Sequence, residues 1–174
     1  MFTRRKTIQL NLGKVKIGGD APISVQSMTN TKTHDADATL AQIKKLAEAG
    51  CDIIRCAVPD MPAAEGLKKI CKESPIPVIA DIHFDYKLAL AAIEAGVDGL
   101  RLNPGTIGGE EKVRAVVEAA RAKNIPIRIG VNAGSLPKDL LEKYGHPTAD
   151  ALCEAAWRHI KILEAMDYHN IKIT

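Results

Sequence analysis

Residues 98–105 read Asp98-Gly-Leu-Arg-Leu-Asn-Pro-Gly105, which is the pattern of a short buried strand that ends in a loop. Because side chains alternate along a strand, Arg101 and Asn103 share one face while Leu100 and Leu102 share the other. An arginine flanked by leucines is costly to bury unless an anionic group meets it. The stretch therefore predicts a buried parallel strand whose polar end needs a negatively charged partner.

Outward from this strand, strands and helices alternate along the chain. A small hairpin is predicted at Thr7–Leu10 and Lys14–Ile17, joined through residues 11–13. The predicted strands of the main body are Ile23–Met28, Asp52–Val58, Pro77–His83, Asp98–Asn103, Pro126–Asn132 and Asn170–Thr174. The predicted helices are Thr39–Glu48, Ala63–Glu73, Tyr86–Ala95, Glu110–Lys123, Pro137–Lys143 and Thr148–Ala165, the last with Thr148 as its N-cap. Such alternation is typical of an α/β protein with a parallel sheet covered by helices.

Two α/β architectures compete, an open doubly wound sheet and a TIM (β/α)8 barrel. Polar residues end successive strands all along the chain, whereas an open sheet would concentrate them at one switch point. No Gly-x-Gly-x-x-Gly follows the first strand. A barrel needs about eight units and typically about 250 residues. We therefore expect residues 1–174, with about six strands, to be the N-terminal part of a TIM-barrel substrate-binding domain in a longer protein.

The composition argues against several classes of protein. Apolar residues make up 46% of the chain and charged residues 26%, as in ordinary globular domains. A net charge of +3 and an aromatic content of 3% do not favour nucleic-acid binding. The N-terminus has no apolar signal segment, and no run approaches a membrane span. We therefore expect a cytoplasmic protein that binds neither nucleic acid nor membrane.

The four cysteines show no metal-binding spacing. They are Cys51, Cys56, Cys71 and Cys153, and no Cys-x-x-Cys pair occurs. In a reducing compartment such residues are most simply free thiols packed as small apolar groups. We expect no metal site within this chain.

Basic residues recur at the ends of the predicted strands. If the faces that carry them point into a barrel, Arg55, Arg101, Arg128 and Lys172 converge near its C-terminal mouth. The polar residues Asp81, His83, Asn103 and Asn132 would lie between them. Four cations exceed what one phosphate needs, and arginine forks match phosphate oxygens, so the pattern favours a diphosphate ligand.

A structural interpretation competes with this one. Any single strand arginine could pair with Asp52, Asp81 or Asp98 and serve only the fold. His83 alone could be a hydrogen-bonded structural histidine, although its position two residues after Asp81 makes it a candidate for substrate binding or proton delivery. Four strand-end cations in one register favour the ligand.

Five strand-end motifs together resemble the 4-hydroxy-3-methylbut-2-enyl diphosphate synthases, the iron–sulfur enzymes of the non-mevalonate isoprenoid pathway. The likeness runs through the whole chain in the same order. The motifs are Val25-Gln-Ser-Met-Thr-Asn-Thr31, Ala80-Asp-Ile-His-Phe-Asp85, Leu100-Arg-Leu-Asn-Pro-Gly105, Ile129-Gly-Val-Asn-Ala-Gly-Ser-Leu136 and Ile171-Lys-Ile173.

The resemblance implies an N-terminal TIM barrel and a C-terminal domain that holds a [4Fe-4S] cluster. It implies reductive ring opening of 2-C-methyl-D-erythritol 2,4-cyclodiphosphate to the linear allylic diphosphate, with reduced ferredoxin or flavodoxin as electron donor, in a homodimer. The residues that it implies for diphosphate binding are Arg55, Arg101, Asn103, Arg128, Asn132 and Lys172, with Asp81 and His83 as catalytic candidates. The cysteines of this chain do not match the cluster ligands of the family, so the resemblance implies that those ligands lie in the C-terminal domain and that this chain alone is catalytically silent.

Two alternatives to this enzyme stay open. One is a barrel enzyme of the dihydropteroate synthase kind, which also needs a diphosphate site but needs no metal cluster. The other is a non-catalytic diphosphate-binding module that pairs with a separate partner chain.

Overall fold

The computed structural model of the protein describes residues 5–174, without the side chains of Pro104, Gly105 and Ser135. An N-terminal hairpin consists of β1 (Leu10–Leu12) and β2 (Val15–Ile17). The strands that follow are β3 (Gln26–Met28), β4 (Ile53–Ala57), β5 (Val78–Asp81), β6 (Gly99–Leu102), β7 (Ile127–Ile129) and β8 (Ile171–Ile173). The helices are α1 (Ala36–Glu48), α2 (Met61–Glu73), α3 (Tyr86–Ala95), α4 (Pro104–Ile107), α5 (Glu110–Ala122), α6 (Lys138–Tyr144) and α7 (Ala149–Glu164), with a short 3-10 helix at Ala133–Ser135.

Strands β3 to β8 form one parallel sheet in which the spatial order equals the chain order. Each neighbouring pair is connected through at least one helix, as parallel neighbours require. The predicted α/β alternation and barrel-type strand order are confirmed. The observed strands are shorter than the predicted ones at one or both ends. Among residues 5–174, β3 and β8 are the edges of this sheet.

The hairpin is confirmed, but its first strand lies further along the chain than Thr7–Leu10. Leu12 pairs with Val15 around a two-residue turn at Gly13 and Lys14. Gly13 has a φ of +53°, the left-handed conformation that such a turn requires. The prediction that residues 11–13 connect the two strands is therefore wrong, because residues 11 and 12 belong to β1. The pairing extends to Leu12 because its side chain is buried against the main sheet.

Capping side chains explain where several helices begin. Helices α1 and α2 begin earlier than predicted, because Asp35 and Asp60 accept the backbone N–H three residues ahead at 3.1 and 2.9 Å. Thr148 caps α7 as predicted. Helix α4 was not predicted. Among residues 5–174, no helix has both the length and the apolar character needed to cross a membrane.

The two faces of the sheet pack against different partners. On the outer face, residues such as Ile54, Leu100 and Ile129 are buried in the large core that the helices complete. On the inner face, Ile53 and Ile79 pack with Leu12 of the hairpin. The hairpin therefore covers the inner face at the amino ends of the strands and leaves the carboxyl ends for polar residues.

Candidate anion-binding site at the carboxyl ends of the strands

A row of charged residues crosses four neighbouring strands at the same level. Asp81 on β5 is in register with Arg101 on β6, Arg101 with Arg128 on β7, and Arg128 with Lys172 on β8. Residues in register on neighbouring strands project to the same side of a sheet. The structure therefore brings one carboxylate and three cations together on the inner face.

Arg55 joins this row from one level below. It is in register with Met28 and Ile79 on the neighbouring strands, and its Nε lies 3.5 Å from Oδ2 of Asp81. Nη1 of Arg101 lies 3.3 Å from the other oxygen, Oδ1. The Asp81 carboxylate is only 4% exposed and is shared between two guanidinium groups. Two strand arginines therefore do pair with Asp81, as the structural interpretation expects, but they share this one carboxylate, whereas Asp52 and Asp98 accept backbone N–H groups.

His83 lies at the open side of the same carboxylate. Its Nε2 is 3.5 Å from Oδ1 of Asp81, and about half of its side chain is exposed. The ring of Phe84, which is 76% exposed, lies with its centroid 5.8 Å from that of His83. The imidazole is thus oriented by Asp81 and accessible to a ligand at the mouth.

The two asparagines also lie near Arg101. The groups around the Asn132 amide orient it so that its side-chain oxygen accepts a hydrogen bond from Nη2 of Arg101 at 3.1 Å. Asn103 follows β6 and is buried, and its backbone carbonyl accepts from the backbone N–H of Thr106 at 3.0 Å. Arg101 itself is only 8% exposed, so its guanidinium is held in one place by Asp81 and Asn132.

The crowding of cations affects the protonation of Arg128 and Lys172. Burial lowers the pKa of Arg128, and the charges of Arg55 and Arg101 lower it further, against the opposing effect of Asp81. Burial, and then the charge of Arg128, lower the pKa of Lys172. Nε of Arg128 donates to Oγ1 of Thr174 at 3.0 Å. Positive charge is thus in excess on this side of the cluster, and an anion would relieve it.

Met28 contacts Arg55, and the sequence did not predict this contact. Its Sδ accepts hydrogen bonds from Nε and Nη2 of Arg55 at 3.3 and 3.2 Å. The thioether and Asp81 both contact the Arg55 guanidinium at Nε. The signal in the sequence is indirect, because Met28 ends the first strand of the main sheet and only the pairing of β3 with β4 places it beside Arg55.

Two copies of one sequence pattern position Arg55 and Arg101. Residues 48–55 and 94–101 both read Glu-Ala-Gly-x-Asp-x-x-Arg. In each copy the glycine is left-handed, with φ of +95° and +91°. In each copy the aspartate, Asp52 or Asp98, accepts a backbone N–H of the preceding strand segment, at 2.7 or 2.8 Å. Both strands thus begin with the same glycine conformation and the same aspartate contact, and the arginines three residues after these aspartates both reach Asp81.

The hairpin closes the site from below. A small cavity of about 10 Å³ lies under the cluster, lined by Leu12, Ile79 and Gly99 and by Arg128 and Lys172. A larger cleft of about 440 Å³ lies between α5 and α7, lined by residues such as Val113 and Met166. The charged row does not line that cleft, so we assign the candidate site by its charges and not by cavity size.

The cysteines do not fit an iron–sulfur cluster. Burial raises the pKa of Cys56 to about 11 and that of Cys71 to about 12, as is typical of thiols packed among apolar groups. Cys51 is also buried, and its Sγ donates to the carbonyl of Ile53 at 3.1 Å. Among residues 5–174, no three His, Cys, Asp or Glu side chains are grouped as metal ligands.

The fold and the charged row together define a barrel-type α/β domain with a cationic site at the carboxyl ends of its strands. Residues 7–174 match the family described as the GcpE TIM-barrel domain, and the chain belongs to that family.

Named relatives support this assignment. The chain is 65% identical over 171 residues to 4-hydroxy-3-methylbut-2-en-1-yl diphosphate synthase (flavodoxin) of Geobacter sulfurreducens, across 98% of this chain and 48% of that protein. It is 59% identical over 173 residues to the protein of the same name in Pseudomonas paraeruginosa, across 99% of this chain and 47% of that protein. The chain thus spans about half the length of the curated relatives that it matches.

Solved structures share the fold at low sequence identity. Dihydropteroate synthase of Yersinia pestis superposes with a TM-score of 0.65 at 12% identity, over 95% of this chain and 61% of that one. The phospho-2-dehydro-3-deoxyheptonate aldolase of Thermotoga maritima gives a TM-score of 0.63 at 12% identity, over 97% and 45%. These similarities show the fold alone.

Proposed function

We propose that this chain binds the diphosphate in a protein that opens the ring of 2-C-methyl-D-erythritol 2,4-cyclodiphosphate reductively and forms 4-hydroxy-3-methylbut-2-enyl diphosphate for isoprenoid biosynthesis. The observation that carries the proposal is the register of Arg101, Arg128 and Lys172 on three neighbouring strands. The names of relatives at 58–65% identity support the particular substrate.

In this proposal the cations divide the work of holding the two phosphates. Arg128 and Lys172 are the partly exposed cations whose pKa values are lowered, so they gain most from an incoming anion. Arg55 and Arg101 are held by Asp81 and offer preformed N–H donors, whose planar forks match phosphate oxygens. Asn103 and Asn132, which follow β6 and β7, add hydrogen bonds on the carboxyl side of this row.

Asp81 and His83 are the catalytic candidates of the proposal. Ring opening releases an oxygen that must gain a proton. His83 is exposed at the mouth and lies 3.5 Å from Asp81, so it is placed to bind that oxygen or to deliver the proton. Asp81 keeps the imidazole oriented and balances part of the positive charge.

Further parts of the proposal lie outside this chain. The reaction requires two electrons, which we assign to a [4Fe-4S] cluster in a further domain of a longer protein. Flavodoxin or ferredoxin would supply the electrons, and the protein would act as a cytoplasmic homodimer. The residues of this chain do not fit the cluster, so we assign them binding and proton transfer only.

The alternatives make different predictions about ligands. A barrel enzyme of the dihydropteroate synthase kind would bind a pterin diphosphate, and only a fold similarity at 12–16% identity favours it. A non-catalytic module would bind diphosphates without turnover in any longer protein that contains the chain.

Calorimetric titration tests the proposal. The cyclodiphosphate should bind more tightly than a pterin diphosphate or inorganic phosphate, and the longer protein should convert it under reducing conditions. Tighter binding of the pterin diphosphate would favour the first alternative. Binding without turnover by the reduced, cluster-loaded protein would favour the second, and no binding of any diphosphate would contradict the site itself.

A further inference from the structure

Gly130 lies directly beside the best-held arginine of the cluster. It follows β7, and its backbone N–H donates to the carbonyl of Leu102 at 3.3 Å, so the ladder between β6 and β7 continues to this level. The residue is buried. Its place two residues after Arg128 puts it on the inner face, next to the side chain of Arg101.

The guanidinium of Arg101 occupies the space that a side chain at position 130 would need. A Cβ built on Gly130 would lie 2.5 Å from Nε, 2.5 Å from Nη2 and 2.8 Å from Cζ of Arg101. These distances are far below ordinary contact, so the planar group lies flat against the backbone at Gly130. No other residue type leaves that surface free.

The backbone itself does not require glycine at this position. Gly130 is outside the left-handed region that Gly13, Gly50 and Gly96 adopt, so an alanine could take up its φ without strain. The three atoms nearest to such a Cβ all belong to Arg101, so Arg101 is the group that must move. Arg101 would have to leave the position in which it lies 3.3 Å from Asp81 and 3.1 Å from Asn132.

We propose that Gly130 is a positioning residue for the anion site, because its missing side chain gives the Arg101 guanidinium the surface on which it is held. Its role in ligand binding rests on the proposed function. The effect of Gly130 on the position of the Arg101 side chain does not depend on the proposed function and can be measured without a ligand. A Gly130→Ala change should displace Arg101 and leave the fold intact, since the clashing group is the end of a flexible side chain.

Gly99 supplies a matched control on the same face. A Cβ at Gly99 would lie 2.4 Å from Cδ1 of Leu12 and 3.4 Å from Cγ1 of Ile79. Both are apolar groups beneath the site. A Gly99→Ala change should therefore disturb the packing of the hairpin and lower thermal stability, with little effect on Arg101.

The first test measures the affinity of the full chain for inorganic pyrophosphate by calorimetry. Gly130→Ala should weaken binding about tenfold, the loss expected when one charge-assisted contact is misplaced, and Gly99→Ala less than about twofold. In an Arg101→Met background the Gly130→Ala change should have no further effect, because no guanidinium remains to be displaced. Equal affinities of Gly130→Ala and the unchanged protein, or an undiminished effect in the Arg101→Met background, would overturn the proposal.

The second test observes Arg101 without a ligand. NMR of arginine-labelled protein should show a separate, slowly rotating Arg101 guanidinium in the unchanged protein and in Gly99→Ala, and a rapidly rotating one in Gly130→Ala. The Arg101→Met variant assigns the signal. If the unchanged protein binds neither pyrophosphate nor the cyclodiphosphate, the proposed function fails, and this signal alone decides the role of Gly130. An unaltered Arg101 signal in Gly130→Ala would then contradict the positioning role of Gly130.

Discussion

Arg101, Arg128 and Lys172 stand side by side in register, and like charges in directly paired positions of a sheet destabilise each other. Asp81 compensates this repulsion at one end of the row, through Arg101 and Arg55. At the other end, Arg128 donates to Thr174, a neutral partner that does not offset the charge. An empty site is therefore electrostatically unfavourable at Arg128 and Lys172, which is the condition in which an anion binds most strongly.

Removal of a single cation should weaken diphosphate binding. For Arg128→Met we expect a loss of about 1.5–3 kcal/mol in calorimetric titrations, as for a hydrogen bond to a charged group, which is roughly 10- to 150-fold in affinity. Arg114→Met is the matched control, because Arg114 is an exposed arginine on α5 that pairs with Glu110 at 3.0 Å. Equal affinities of the two variants would contradict a role of Arg128 in the site.

Lys172 should make the site sensitive to alkaline pH. Its lowered pKa means that it loses its charge below the ordinary lysine value of 10.5, so diphosphate affinity should fall as the pH approaches that value. The Lys172→Arg variant keeps its charge and should show a flatter profile over the same range. Arg128→Met should move the fall to higher pH, because it removes a repelling charge. A profile that all three proteins share would contradict the assignment.

The lowered pKa of Lys172 should also make the free energy of unfolding depend on pH, in the opposite direction to the diphosphate affinity. Between the lowered pKa and 10.5, folded Lys172 binds fewer protons than it does in the unfolded chain. The free energy of unfolding should therefore rise with pH in this window, and Lys172→Met should remove that contribution to the slope in urea titrations. A slope that is the same in both proteins would show that burial does not hold the pKa down.

At the scale of elements, the hairpin has the clearest separate task. It packs Leu12 against Ile53 and Ile79 on the inner face, where the strands begin. The side chains of the charged row stand above this apolar floor and are thereby directed towards the carboxyl ends. The N-terminal hairpin thus belongs to the architecture of the site, although it contributes no charged residue to the row itself.

Truncation of Leu12 should destabilise the domain. Leu12→Ala removes a side chain that is 4% exposed, and such changes cost about 2–5 kcal/mol of unfolding free energy. Ile8→Ala is the control, because Ile8 is 78% exposed and should change stability by no more than about 0.5 kcal/mol. The measurement is chemical denaturation of both variants. Similar losses would show that the hairpin does not pack as a floor.

At the scale of the whole molecule, the sheet has two edges. Among residues 5–174, β3 and β8 each pair on one side only. Apolar side chains are exposed along them, with Val25 at 55% and Ile173 at 49%. Unpaired strand edges with apolar neighbours tend to associate with other chains.

We therefore expect the 174-residue chain to self-associate when it is purified alone. Sedimentation velocity should show a weight-average mass that increases with concentration, and dilution should lower the thermal midpoint. Lysine substitutions at Val25 and Ile173 should reduce the association, because charges on an edge strand oppose pairing. A stable monomer across the whole concentration range would contradict this expectation.

The sequence alone was sufficient for the periodic parts of the protein. The alternation of apolar strands and amphipathic helices predicted the order of the strands and of the helices other than α4 and the 3-10 helix. The polar strand ends predicted that Arg55, Arg101, Arg128 and Lys172 would share one face, because both patterns follow from local geometry. Only the tertiary structure decided which groups touch. Three contacts depend on the pairing and curvature of strands that are far apart in the chain. They are the sharing of Asp81 between two arginines, the contact of Met28 with Arg55, and the space that Gly130 leaves for Arg101. The spacing of side chains along the sequence does not predict them.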